Sequence, residues 1–289
     1  MSIDLKVDYV ADEGPSSAFP TNTIWADCPV FEMMVDKTVG FHFHDDFMNA
    51  TKSVAGATGA ASGGAGLGYN VYGDAGVTIG AESSATEGNG MALAISANDG
   101  DNDEGIISTG SPAFLVSDTA AFANRKLWFE ARIKKASVAN NGVSQFIGLA
   151  WDDGAGTSIA AAEALVDDTG ALGAFSYLGF HQDAANGDSW DFVYKAEGQA
   201  QTVAISGVDV IVADTYAKLG FVFDPSASAG KRVTVYVDGV AQATGVSDTN
   251  IAAATFPDGE GMGMAWATKV GAGAEVVCTL DWWRAAQKF

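Results

Sequence analysis

From Arg232 to Ala243 the chain reads Arg-Val-Thr-Val-Tyr-Val-Asp-Gly-Val-Ala-Gln-Ala, alternating β-branched and aromatic residues and then turning on Asp-Gly. That is the pattern of a β-hairpin. Alternation recurs at 127–133, 175–181, 190–194 and 218–223. It is strict from Phe41 to Phe47, where Phe41, Phe43, Asp45 and Phe47 share one face and His42, His44 and Asp46 the other. Further strands are predicted at 91–96, 105–108, 144–151, 201–205, 261–267 and 276–283, with one short helix over 159–166. Short strands separated by Gly and Asp turns predict an all-β chain, an antiparallel two-sheet jelly-roll sandwich, with a parallel β-helix as the alternative.

Residues 1–40 break this pattern. Pro15, Pro20 and Pro29 are half of the six prolines, and the stretch as a whole has no sustained apolar period. It reads as an extended N-terminal arm with one short strand over 30–35, followed by a single domain over 41–289. Residues 55–68 are Gly-rich and read as a loop. No internal repeat stands out, which argues against propellers and solenoids.

Hydrophobic residues make up 48% of the 289, with seven Trp and sixteen Phe, enough to fill a continuous core between two sheets. Fifteen Lys and Arg against 36 Asp and Glu give a formal net charge of -21. Such a chain is repelled by phosphate backbones, so nucleic acid is not an expected partner. Cys28 and Cys278 stand near opposite ends in no C-x-x-C pattern, so free thiols are expected rather than a disulfide framework or zinc site. The sequence shows no signal-peptide pattern and no apolar run long enough to cross a bilayer, which points to synthesis in a cytoplasm with no membrane partner.

Candidate chemistry is sparse. His42, His44 and Asp46 share a strand face at metal-ligand spacing, but a hydrogen-bonded face is the simpler reading. The run Asp99-Gly-Asp-Asn-Asp-Glu-Gly puts Asp99, Asp101 and Asp103 at alternate positions, as a calcium loop needs. It departs from the EF-hand at the turn glycine and the closing glutamate, so calcium is the one cofactor worth naming and none is the base expectation. Glycines at 64–68 and 259–263 lack nucleotide-binding spacing, and no nucleophile elbow is present. Trp151 and Trp190, with Asp152 and Asp188 nearby, form a possible sugar platform, set against the alternative that both indoles are core.

Three passages carry a resemblance: Leu127 to Lys134 (Leu-Trp-Phe-Glu-Ala-Arg-Ile-Lys), Val233 to Gly239 (Val-Thr-Val-Tyr-Val-Asp-Gly) and Leu280 to Arg284 (Leu-Asp-Trp-Trp-Arg). In this order they resemble the concanavalin A-like lectin and glucanase superfamily over about residues 41–289. The laminarinase-like hydrolases of that superfamily use a Glu-x-Asp-x-x-Glu strand to set two carboxylates on one face. Here only Glu82 and Glu87 are similarly spaced, with Ser84 where the aspartate belongs, so a non-enzymatic protein is expected.

His44 to Phe47, Asp101 to Glu104, Trp128 to Lys134, Phe146 to Leu149 and Asp281 to Arg284 together look like a group of tailed-bacteriophage virion proteins with the same jelly-roll body. That resemblance implies a capsid decoration or cement protein on the outer capsid surface, made in the host bacterial cytoplasm. Its implied partners are the major capsid protein and copies of itself, a trimer being the state the resemblance suggests. Phe19, Trp25 and Phe31 of the arm are then the expected anchors, since large aromatics dominate interface energetics. The alternative is a lectin-like module using Trp151, Asp152, Trp190 and Asp188.

Overall fold

The computed structural model describes residues 23–47, 54–57, 69–84, 88–95, 102–110, 112–117, 125–138, 142–151, 164–166, 169–183, 187–270 and 276–289. Their strands are β1 (Gly40–Asp45), β2 (Val54–Ala57), β3 (Asn70–Ser84), β4 (Gly88–Ile95), β5 (Glu104–Ser108), β6 (Phe114–Leu115), β7 (Leu127–Lys135) and β8 (Val143–Ala150). They continue with β9 (Tyr177–Gln182), β10 (Ser189–Lys195), β11 (Thr202–Val210), β12 (Ala217–Phe223), β13 (Val233–Val237), β14 (Val240–Val246), β15 (Gly261–Val270) and β16 (Val276–Lys288). Two short helices, α1 (Val30–Val35) and α2 (Asp248–Ile251), complete the described elements.

The strands form an antiparallel two-sheet jelly-roll sandwich. One layer runs β11-β10-β9-β8-β15-β5 and the other β4-β16-β7-β12-β13-β14. β3 joins them: Asn70 to Gly73 pair with β5, while Val77 to Ser84 pair with β4. β1 extends the second layer along β16.

The interior follows from the alternation. Phe129 and Ile133 of β7, Phe221 of β12, Phe180 of β9, Phe192 of β10 and Trp266 of β15 are all buried between the layers. The Phe221 ring lies 5.5 Å from Phe192 and 6.5 Å from Phe180, so it bridges the two layers directly. The expected hairpin closes at Asp238 and Gly239, whose φ values of 49° and 79° fit a two-residue turn of the primed kind.

Three expectations change. Residues 30–35 form a helix, not a strand. Pro29 precedes its first residue, the Met33 amide bonds Pro29 O at 3.0 Å, and the Asp36 carboxylate stops it by accepting from the Thr38 amide and hydroxyl. Most of the predicted helix over 159–166 lies outside the described residues. Its described end, 164–166, is extended, with Leu165 bridged to Leu172. β3, the longest strand at 15 residues, was not predicted, because Gly73, Asp74, Gly76 and Gly80 interrupt its alternation.

Both outer faces are covered by the chain itself. Residues 164–166 and 169–175 lie over the first layer, where Leu165, Leu172 and Phe175 pack on Ile106, Phe146, Tyr177 and Val193. Polar groups on that face grip the cover's backbone. Glu104 accepts from the Leu165 amide at 2.8 Å, and Lys269 and Tyr177 donate to Leu165 O and Ala164 O at 2.8 and 3.0 Å. Residues 23–39 lie over the second layer, where Ile24 and Met33 pack with Trp128, Val222 and Ala286.

Candidate functional site: the N-terminal segment on the outer face of the second layer

The outward positions of β7 and β16 are Trp128, Glu130, Arg132 and Lys134, and Trp282 and Arg284. Register places Glu130 opposite Arg284 and Arg132 opposite Trp282. β12 contributes Gly220 opposite Glu130, and β1 brings His44 opposite Arg284. Gly220 is a notch in this face. A Cβ there would come within 2.6 Å of Ile24 Cδ1 and 2.8 Å of Phe129 O, so only glycine leaves room for the arm. Gly40 plays the same part beneath Met33, whose Cε would lie 2.9 Å from an added Cβ.

Polar contacts complete the seat. Glu130, 4% exposed, accepts from Trp25 Nε1 at 2.7 Å and from Arg284 Nη2 and Nε at 2.6 and 3.0 Å. The Arg284 guanidinium lies 4.3 Å from the Trp25 ring and 5.3 Å from Trp282, a charge between two indoles. Trp25 also meets His42 edge-on at 6.0 Å. Burial, then the neighbouring His44 and Arg284, pull the His42 pKa below its ordinary value. Beyond this cluster Arg132 pairs with Asp281 and stacks 3.8 Å over Tyr216, and Lys134 pairs with Asp214 at 3.2 Å.

A groove of about 380 Å³ runs along the seam between segment and sandwich, with Asp27 and Glu32 on one wall and Lys126, Asp224 and Lys288 on the other. Lys126 spans it, 2.5 Å from Asp27 and 2.7 Å from Asp224. Burial alone would lower the Lys126 pKa, but the hydrogen bonds to Asp224 and Asp27 outweigh it and raise it. For Asp224 the balance runs the other way: burial raises it, while Lys126 and Ser226 bring it below the usual carboxylate value. Glu130, Asp281, Asp214, Asp27 and Asp224 are thus each matched to a cation. The arrangement fastens 23–39 to the sheet.

The expected site residues are dispersed. Of the three arm aromatics, Trp25 donates to Glu130 of its own sheet, Phe31 is 45% exposed on α1, and Phe19 lies outside the described residues. Trp190 is buried between the layers, whereas Trp151 stacks on Phe175 at 5.7 Å on the outer side of the first layer. They therefore do not form one sugar platform. Asp188 lies 3.5 Å from buried Lys135, and Asp152 is outside the described residues. Asp103 is buried where its carbonyl accepts from Val270; Asp99 and Asp101 are not among the described residues.

The sequence reading missed Glu130, Arg284 and Gly220. A glycine inside the strand Lys218 to Phe223 was the signal that another part of the chain approaches closely there.

Among the described residues the fold is an antiparallel sandwich of two β layers. Among solved structures it is similar to a protein of unknown function from Shewanella oneidensis MR-1, at 14% identity over 87% of each chain and TM-score 0.53. It is also similar to the Bacteroides ovatus mixed linkage glucan GH16 in complex with product, at 14% identity over 83% of this chain and 98% of that one, TM-score 0.46. Lectin II from Ulex europaeus matches at 13% over 85% and 98%, TM-score 0.43. At identities of 13 and 14% the likeness is one of fold alone. No family model matches the chain, and no curated protein does.

Proposed function

We propose that this chain is a non-enzymatic decoration protein of a tailed-bacteriophage virion, seated on the outer capsid surface through its N-terminal segment. One observation carries the docking role. On α1, Phe31, Met34 and Val35 stand at i, i+3 and i+4 and are 45, 63 and 72% exposed, while Met33, on the other side, is buried against the sandwich. A helix whose apolar stripe faces away from its own protein presents a surface for another. Burying those three side chains is worth roughly 1.5–3 kcal/mol each when complete. The identity of the partner as a capsid comes from the passages that resemble phage virion proteins, and the charge of -21 suits a surface turned away from packaged DNA.

The test is co-expression with the major capsid protein of the same genome, followed by gradient sedimentation. The chain is expected to travel with assembled shells, and Phe31→Asp with Met34→Asp to leave it at the top. Wild-type chain that never enters the shell fraction would sink the proposal.

A second reading, carbohydrate binding, is favoured by the strip of Trp282, Arg132, Asp281 and Tyr216 on the outer face. There half-buried rings adjoin paired charges that can meet sugar hydroxyls. Glycan-array binding lost on Trp282→Ala would support it, and an array without signal would remove it.

A further inference from the structure

Nine large hydrophobic side chains are exposed among the described residues. Three form the α1 stripe, and three more, Val203 (46%), Val210 (67%) and Val212 (58%), lie on β11 and just beyond it. β11 ends the first layer. It pairs with β10 and with no other described strand, so its far side offers unpaired backbone amides and carbonyls. Its nine residues carry one charge, Asp209, and β14, the end of the second layer beside it, carries none in seven. On a chain of net charge -21, two strands with a single charge between them add little to the repulsion between copies. Here Ala204, Ile205, Val208 and Val237 pack against the core but are only partly buried, so an added apolar row would cover them further.

The chain holds a matching segment. Although residues 1–40 as a whole have no sustained period, Ile3, Leu5, Val7 and Tyr9 alternate with Ser2, Asp4, Lys6 and Asp8. This is the pattern of a strand with one buried face. Twelve residues, 11–22, separate it from Thr23 and reach roughly 40 Å when extended. The root of the arm is fixed where Ile24 sits over Gly220, on the outside of the second layer, whereas β11 bounds the first. A route to its own β11 must pass from the outside of the second layer around the β14 edge to reach the first.

We infer that residues 2–10 of one copy add as a strand to the β11 edge of a second copy, with Ile3, Leu5, Val7 and Tyr9 turned toward its Ile205 and Val208. The inference rests on the reading that the N-terminal part serves assembly, and it names the partner element. Backbone pairing supplies the affinity and the apolar row fixes the register. Copies arrayed on one particle raise the effective concentration of the arm.

Val203 pairs Val193 and so shares the outward face of the first layer, where Lys6 of the added strand would also lie; mixing copies that carry Lys6→Cys with copies that carry Val203→Cys, both with Cys28→Ser, tests this under oxidising conditions. A disulfide-linked heterodimer is expected, and Leu5→Asp in the arm should abolish it. Absence of the cross-link, or a disulfide confined to single chains when both cysteines share one polypeptide, overturns the inference. Sedimentation velocity gives an independent readout: Leu5→Asp with Val7→Asp, on the apolar row of the arm, is expected to shift associated wild-type chains to monomer, and a wild type that is already monomeric overturns the inference. Cross-linking that fails while α1-dependent shell binding persists removes strand exchange alone. Shell binding that fails while the cross-link forms removes only the capsid role.

Discussion

Ile24 fills the space that a side chain at Gly220 would occupy: a Cβ on Gly220 would stand 2.6 Å from Ile24 Cδ1. The fit explains why a central strand tolerates a glycine, which otherwise weakens it. Gly220→Ala is expected to cost about 1–3 kcal/mol by overpacking. Because Ile24 has more freedom to move than the Phe129 carbonyl, much of the damage should fall on the segment's seat. Limited proteolysis should then cut within 23–39 faster than in the wild type, with the sandwich still folded.

Glu130 holds both Trp25 and Arg284 through one oxygen. Glu130→Ala removes the acceptor from two donors, one of them a charge, at an expected cost of about 1–3 kcal/mol. Trp25 should become more accessible, read as greater acrylamide quenching of tryptophan fluorescence. Glu130→Gln, which keeps an acceptor oxygen, should retain part of the loss. Equal quenching in all three proteins would show that Glu130 does not hold the indole.

The pH dependence has a definite sign. His181 is buried, its Nε2 lies 2.8 Å from Gly170 O and its Nδ1 3.3 Å from Gln201 Nε2, a pattern satisfied by the neutral ring donating from Nε2. Burial lowers its pKa below 6.5, against the smaller raising effects of the Gly170 carbonyl, Asp183 and Asp191. The folded state therefore binds the proton less readily than the unfolded state. This contribution to stability is full above the unfolded value of 6.5 and is lost as pH falls through the lowered folded value. Tm should fall between pH 7.5 and 5, and His181→Gln should flatten that slope.

Both cysteines are free, and burial is the first cause that pushes each thiol up to about 12. Native protein at pH 8 is expected to react slowly with iodoacetamide, Cys278 slowest because it is fully enclosed. Denaturation should release two titratable thiols, with no change in gel mobility on reduction. A reductant-sensitive band in the wild type would contradict this.

Trp190→Ala should behave as a core truncation, costing about 3–5 kcal/mol. Any loss of ligand binding in that variant should track the loss of folded protein seen by circular dichroism. Binding abolished with Tm unchanged would return Trp190 to a sugar site.

The sequence was most legible where one face of a strand is buried and the other is not. Val233 to Gly239 and Leu127 to Ile133 announced β7, β13 and the hairpin turn because their alternation is unbroken. β3 was hidden by its glycines, and α1 by its brevity: six residues give under two turns of period, and β-branched ends suggested a strand. The seat for the N-terminal segment was illegible for another reason. Glu130, Arg284 and Gly220 are far apart in the chain and meet only through the β16-β7-β12 register. Trp151 and Trp190 take opposite faces of the first layer, one outward and one inward, and tryptophans in predicted strands do not by themselves say which face each indole takes.

Because β3 serves both layers, backbone bonds bind the sandwich along that margin, while at the opposite margin β11 and β14 lie side by side without a ladder between them among the described residues. The molecule is therefore a book with a spine. Swelling under denaturant or mechanical load should begin at the unbound margin, so amide exchange on β11 should quicken well before that on β5 or β16.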